Sequence, residues 1–456
     1  MSNTDQVVSL LLTALNERRQ LSMPSRVHSW EWLQFKWQPA ISSSVAASKL
    51  AQVGCAWRDA VHLWRAEETC LHFVSGELKH VPAHKVVTHV AQHYVSLQTL
   101  ILRSGGDHES DPLAGAAVLV LSTGCPELLE ISLGGCDVVS DTAVASLVSH
   151  LPGLKRIWLD RAGCGKYTGT ASRPRQPTLG VAGAMAVATS CSLLECLSLC
   201  YKQIHNTVIC GVAANCPLLT TLHLYHSQVD GYRYVSDLNQ VTGEYRGRLQ
   251  ALDDAALVAL AAGCRLLEDV VFEGCTELTD AGIITLVQAC PRLRKLSLKR
   301  SGEQMWHYSR DDVSTFPQDH PTQHLITDAS LVELARRCPL VEELCLECCF
   351  PAPYTDVGMI AVARGCQLKR LDVERCPKLS DATLLALRSC THLVWLNIED
   401  NVRHGDLTAK GVKSLLLHKP QLVLGSMNYD VSLEEYLEAE AAESPAESSD
   451  ENESDS

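Results

Sequence analysis

Cys345, Cys348 and Cys349 form a C-x-x-C-C run, with Cys338 seven residues before it, and such thiols are the side chains most able to hold a metal. A structural zinc site takes four ligands, usually from two such motifs at matched spacing. Here Cys338 and Cys349 recur at fixed positions elsewhere in the chain, which leaves Cys345 alone on its strand. His307, His320 and His324 share one segment without a convincing ligand set. There is no phosphate loop, no nucleophile elbow and no H-E-x-x-H run. With no acid, base and nucleophile brought together, the expectation is a non-catalytic protein that binds other proteins and needs neither metal nor cofactor.

The elements that would carry a binding surface are written in the spacing of the cysteines. Two clear copies of one unit are CTELTDAGIITLVQACPRLRKLSLKR (275–300) and CPKLSDATLLALRSCTHLVWLNIED (376–400). A second column, Cys191, Cys216, Cys264, Cys290, Cys338, Cys366 and Cys390, keeps intervals of 24 to 28 residues, with two of 48. Self-similarity at this period is the signature of a solenoid. Each unit starts LxxLxL, as in Leu293-x-x-Leu296-x-Leu298, so alternate residues of a short strand point inward. Ser140-Asp141, Thr279-Asp280, Thr327-Asp328, Thr355-Asp356 and Ser380-Asp381 then open a helix. The hydroxyl caps free N–H groups and the aspartate sits at the positive end of the helix dipole. About five large side chains per unit contribute roughly 1.5–3 kcal/mol each, against roughly 1–2 kcal/mol for each of about 25 ordered residues. One copy cannot stand alone, so units must stack. The expected fold is an α/β, right-handed solenoid shaped as a horseshoe, with parallel strands on the concave side and helices on the convex side.

Bulk composition restricts what such a body meets. Val7–Leu15 lacks a basic flank and a cleavage site, and no stretch reaches the eighteen or so apolar residues of a membrane span. Of the twenty cysteines, most fall at two repeat positions that would form buried columns, so they are expected to be reduced, in cytoplasm and/or nucleus. The net charge of −14 is unevenly placed: residues 434–456 hold ten acids and no Lys or Arg, leaving 43 acids against 39 bases elsewhere. No basic face for nucleic acid is evident. Residues 431–456 are too charged and too poor in apolar side chains to fold alone. Ser444, Ser448, Ser449 and Ser454 lie there among acids or before proline, as candidates for phosphorylation.

The repeat pattern resembles the cysteine-containing subclass of leucine-rich repeats, found mostly in F-box proteins and their relatives. Residues 46–67, AASKLAQVGCAWRDAVHLWRAE, resemble the second half of an F-box, in which an apolar helix ending Val-x-x-x-Trp precedes a Leu-Trp-Arg segment. Leu50, Val53, Trp57, Leu63 and Trp64 carry that resemblance. It implies docking on a Skp-type adaptor and so on a cullin–RING (SCF-type) ubiquitin ligase. The first half departs from the family: Met23-Pro24-Ser25-Arg26 stands where Leu-Pro-x-Glu is usual, and Gln38–Ser44 reads as an insertion. The expected organisation is an extension (1–22), an F-box-like helical module (23–67), a solenoid of about 10–11 repeats (68–430) and the acidic tail (431–456). The resemblance implies a substrate-recognition subunit, monomeric within its complex, with an unknown protein target. The alternative is a scaffold without a ligase, in which the N-terminal helices merely cap the first repeat.

Extra residues enter at 162–178, 227–250 and 301–324, each between a strand and the next helix cap, so they gather on one rim. Repeat-specific insertions on one face often mark a binding face. Tyr232 and Tyr234 in the second, and Trp306 and Tyr308 in the third, are candidate anchors. The open face of the strands adds Trp158, His223, Tyr225, Glu347, Asp372, Glu374 and Trp395 as target-binding candidates. Acids dominate its last repeats, which points to a basic ligand there.

Overall fold

The computed structural model describes residues 69–73, 83–102, 115–133, 140–159, 179–201, 205–226, 252–299 and 326–425, apart from 274, 276, 347–353, 374–375, 377, 399–400 and 402–406. The chain divides into two compact units, Met1–Lys202 and Gln203–Ser456. The expected module at 23–67, the three insertions and the tail from 431 lie outside the described residues.

The first unit alternates β1 (Cys70–Phe73), α1 (Ala83–His93), β2 (Thr99–Leu102), α2 (Gly115–Gly124), β3 (Glu130–Ser132), α3 (Asp141–His150), β4 (Arg156–Leu159), α4 (Val181–Ser190) and β5 (Cys196–Tyr201). Its strands pair in parallel and in chain order. The second unit runs α5 (Asn206–Asn215), β6 (Thr221–His226), α6 (Asp254–Gly263), β7 (Asp269–Glu273), α7 (Asp280–Ala289), β8 (Lys295–Ser297), α8 (Asp328–Arg337), β9 (Glu343–Cys345), α9 (Asp356–Gly365), β10 (Arg370–Asp372), α10 (Asp381–Leu387), β11 (Trp395–Asn397), α11 (Ala409–His418) and β12 (Val423–Leu424). Its strands also pair in parallel between successive repeats. Both units are therefore built as a leucine-rich-repeat solenoid, one strand and one helix per turn.

The period-2 pattern decides which side of each strand is buried. Leu222, Val270, Leu296, Leu344, Leu371 and Leu396 lie side by side in register and are buried under the helices. The Cys-Pro-x-Leu run makes the return from helix to strand. Cys216, Cys290 and Cys338 end their helices, and the N–H of the residue three positions on donates to each cysteine carbonyl at 3.2 Å. Pro217, Pro291 and Pro339 stand at the second position of this turn, where a fixed φ near −65° fits.

The Ser/Thr-Asp pairs do more than start helices. Thr279 Oγ1 accepts from Ala281 N at 3.1 Å, which is the expected cap. The same hydroxyl donates to Asp254 Oδ2 of the previous repeat at 2.5 Å, and Thr279 N donates to Asp254 Oδ1 at 2.9 Å. Asp280 receives Thr327 in the same way, Asp328 receives Thr355, Asp356 receives Ser380 and Asp381 receives Thr408. Each of these five cap residues thus accepts within its own repeat and donates to the one before. Three residues past the cap, a second group approaches the same carboxylate. Ser330 donates to Asp280 and Thr383 to Asp356, while Gly282, Gly358 and Gly411 leave no side chain that would collide with it. The relay stops at α11, which starts with Ala409 where the other helices of the run have Asp.

The cysteine column behind the helices is buried. Cys264, Cys290 and Cys338 point their thiols at the carbonyls of Cys216, Cys264 and Cys290, at 3.4–3.6 Å. Burial pushes the thiols of Cys125, Cys216 and Cys290 up to about 11, and those of Cys264, Cys338 and Cys366 to about 12. Cys210, on the outside of α5, is exposed. Alkylation of the native protein at pH 8, followed by peptide mass spectrometry, is expected to label Cys210 first among the described cysteines. The column should react at least about 100-fold more slowly than an ordinary thiol, because so little of it is thiolate. Labelling of Cys264 or Cys338 at the rate of Cys210 would contradict this placement.

Candidate target-binding face

Because the strands are parallel and in register, residues on either side of the buried leucine row form two lines across the open face of the second unit. One line reads Asp269, Lys295, Glu343, Arg370, Trp395. Signs alternate, so neighbouring strands place opposite charges side by side, the favourable cross-strand arrangement. Lys295 Nζ lies 3.8 Å from Asp269 Oδ2 and 3.9 Å from Glu343 Oε2. Arg370 stacks its guanidinium 4.4 Å from the centre of the Trp395 ring, a cation–π contact. On the other side of that ring a Cβ at Gly425 would lie 2.5 Å from Trp395 Cζ2, so only glycine fits.

The second line reads His223, Val271, Ser297, Cys345, Asp372, Asn397. Its polar members His223, Ser297, Asp372 and Asn397 are nonetheless buried, and Cys345 is half-buried. Asp372 is 6% exposed; its Oδ1 accepts from Asn397 Nδ2 at 3.1 Å, and its Oδ2 from Cys345 Sγ at 3.1 Å and lies 3.3 Å from Lys299 Nζ. Burial pushes the Cys345 thiol well above the ordinary thiol range, and the nearby Asp372 carboxylate adds to this while Lys299 opposes it. His223 is 7% exposed, with Nε2 2.9 Å from Asp269 Oδ1 and Tyr225 edge-on at 6.1 Å between ring centres.

These positions correct part of the sequence reading. His223 and Asp372 stand on the open side of the sheet as expected, but they are buried by their own neighbours. Trp158, Tyr225 and Trp395 are half-buried instead of standing free in water. The described carboxylates of the late repeats are matched by Lys295, Lys299 and Arg370, so they do not by themselves make an acidic cradle. The physical reason is register: side chains about 5 Å apart on parallel strands cover one another. In the first unit Trp158 shares its line with Ser132 and Ser198, both buried, and Arg156 bridges Glu130 (3.1 Å) and Glu195 (3.5 Å).

A further charge line was not anticipated. Just before the strands, Arg294 reaches Glu268 at 3.9 Å and Glu342 at 3.0 Å, and Lys369 reaches Glu342 at 2.8 Å. The Lys369 hydrogen bond is the main reason the Glu342 carboxyl is held below the usual range. The signal was present in sequence as acids and bases alternating at one repeat position. Leu50, Val53, Trp57, Leu63, Trp64, Tyr232, Tyr234, Trp306, Tyr308, Glu347, Glu374, Ser444, Ser448, Ser449 and Ser454 lie outside the described residues, as do Cys348 and Cys349. The flanks of two insertions are described: the chain leaves at the C-terminal ends of β6 and β8 and returns at Asp253 and Thr327, the caps of α6 and α8. These points of departure and return therefore lie on the same edge of the second unit.

Among the described residues no group of three His, Cys, Asp or Glu could hold a metal, and no helix is long and apolar enough to cross a membrane.

No family model matches the chain. Over 188 residues, 39% of this chain and 22% of the relative, it is 28% identical to F-box protein MAX2 homolog A of Petunia hybrida. It is 27% identical over 198 residues to homolog B of the same plant, covering 41% of this chain and 23% of that protein. A transport inhibitor response 1-like protein of Oryza sativa subsp. japonica is 25% identical over 279 residues, 55% of this chain and 46% of that protein. The chain thus spans less than half the length of these curated relatives. Among solved structures, a chain of the crystal structure of the Rad7 and Elc1 complex in yeast has the same fold: TM-score 0.56 at 15% identity, over 93% of this chain and 92% of that one.

Proposed function

Taking the chain as a leucine-rich-repeat protein related to the F-box proteins, we propose that it is the substrate-recognition subunit of an SCF-type ubiquitin ligase. The observation that carries the reading is the join of two features: cysteine repeats similar to those of named F-box proteins, and the F-box-like string at 46–67 directly before them. Leu50, Val53, Trp57, Leu63 and Trp64 would hold a Skp-type adaptor. The strand face and the insertion edge would hold the target. The chain itself performs no bond-breaking step; it contributes proximity and orientation to partner enzymes.

Half-buried Trp395 and Tyr225, framed by fixed charges, suit a partner that brings its own apolar side chains. Aromatic and Arg side chains are the usual anchors of such contacts. A pull-down with a Skp-type adaptor tests the reading. Wild-type capture, reduced at least about tenfold by Val53→Asp with Trp57→Asp, supports it, since that loss corresponds to about 1.4 kcal/mol of binding. No capture by the wild type leaves the second reading, a scaffold whose N-terminal helices only cap the first repeat. The departure from the F-box pattern before Ser44 is what favours that second reading.

A further inference from the structure

In the second unit, helices α6 to α10 pack side by side, each with one face buried in its repeat. The opposite face of such a helix is ordinarily charged. Here it is apolar. The fifth helical position holds Val258, Ile284, Val332, Ile360 and Leu385, of which Val258 is 52% and Leu385 60% exposed. The second position is an exposed alanine in four of the helices, and in α9 it is Val357, 65% exposed. The first-turn aspartates are held by the caps of the next repeat. Beyond them the five helices contain one acid, Glu333, and no Lys. Arg336 and Arg337 hold Glu333 at 2.8 and 2.9 Å. Single apolar residues on a surface are ordinary, whereas a contiguous row marks a contact.

A basic strip runs beside this row. Each of the five repeats places an arginine at the end of its helix or in the turn after it: Arg265, Arg292, Arg336, Arg364 and Arg388. Arg336 and Arg364 lie four residues beyond Val332 and Ile360, and so on the same helical side. Arg292 also meets Glu268. The two strips decide what fits. Four helix-to-helix steps of about 8–10 Å make a row about 32–40 Å long. A crossing α-helix rises about 1.5 Å per residue, so seven residues advance it about 10.5 Å, one step of the row. A partner helix with an apolar side repeating every heptad would rest on the row, and acids along one flank would meet the arginines. A second copy of this face fits less well, since it brings arginines and only the Arg-bound Glu333 to meet them. A bilayer surface is usually met by Trp, Phe or Lys, and these five helices contain none.

We propose that the outer face of α6–α10 is a docking site for an acidic amphipathic helix of a partner protein, lying across the repeats. The site is separate from the strand face and the insertion edge, and it does not rest on the ligase reading.

Fluorescence anisotropy on the full chain tests it, with a labelled peptide of four Leu-Ala-Glu-Leu-Glu-Glu-Ala heptads and a second peptide in which Lys replaces Glu. The acidic peptide should bind at least about tenfold more tightly than the basic one, and more weakly as salt rises. Val332→Ser, Val357→Ser and Leu385→Ser together should weaken its binding about tenfold or more. Arg265→Glu with Arg364→Glu should reverse the preference in favour of the basic peptide, which a general loss of folding would not produce. Absence of binding, equal binding of the two peptides, or binding indifferent to the triple variant would overturn the proposal. So would a wild-type dimer in sedimentation, or retention by anionic lipid vesicles, that the triple variant loses. The occupant would then be a second copy or a bilayer.

Discussion

Asp372→Ala should destabilise the second unit by about 3–5 kcal/mol, the usual cost of breaking a buried charge pair from one side. The carboxylate is 6% exposed and serves Lys299, Cys345 and Asn397 at once. Its removal takes the carboxylate from beside the Lys299 ammonium and an acceptor from the buried Asn397 amide. A denaturant titration of the unfolding midpoint would measure the loss. Asp372→Leu with Lys299→Met removes both charges and should recover most of it, because the cost lies in the orphaned partner and not in the missing attraction. If the double variant is as unstable as the single one, the pair is not what the site depends on.

Asp280→Ala is expected to cost about 3 kcal/mol, and to do so at one joint. Asp280 accepts from Thr327 N (2.9 Å), Thr327 Oγ1 (2.6 Å), Ser330 N (3.2 Å) and Ser330 Oγ. Hydrogen bonds to a charged acceptor contribute about 1.5–3 kcal/mol each in isolation, and within one cluster they do not add in full. In a repeat array stability is a sum of units and nearest-neighbour interfaces. Native-state hydrogen exchange should therefore show α7 and α8 opening together, with α5 little changed. Uniform loss across the unit would contradict a local joint.

Asp356, another carboxylate of the relay, sets an acid limit. Burial works against the Asp356 charge, but hydrogen bonds from the Ser380 and Thr383 side chains and backbones outweigh it and hold the carboxyl below its ordinary value. A depressed folded value means the contribution is full above the unfolded value near 3.9 and lost as pH falls through the lower folded one. Thermal unfolding midpoints should drop on acidification below about pH 4, and less so in Ser380→Ala. An equal acid response in that variant would sever the link to the relay.

The helix caps were legible because a cap is a local event: Thr279 and the N–H of Ala281 are two residues apart. The role of the aspartates was not, since their partners lie 24 to 50 residues away. One clue was available. Capping needs only the hydroxyl, yet the acid followed it in copy after copy, and position three was held to Gly, Ser or Thr in Gly282, Ser330, Gly358, Thr383 and Gly411. Strand faces were legible from alternation, as the row from Leu222 to Leu396 demonstrates. What alternation could not give was burial on the outer side: His223 and Asp372 carry outward parity, and only the lateral register of neighbouring strands reveals that they are covered. The thiol columns followed from their period, whereas the candidate anchors on the insertions lie outside the described residues.

The directional relay also bears on how such a chain lengthens over evolutionary time. A duplicated copy of 279–326 spliced between existing copies would bring a donor for the aspartate behind it and an acceptor for the threonine ahead, so it would seat at once. A copy joined after Ala409 would find nothing to grip. Growth by internal duplication is thus permitted, while accretion at that terminus demands that an alanine first become an acid.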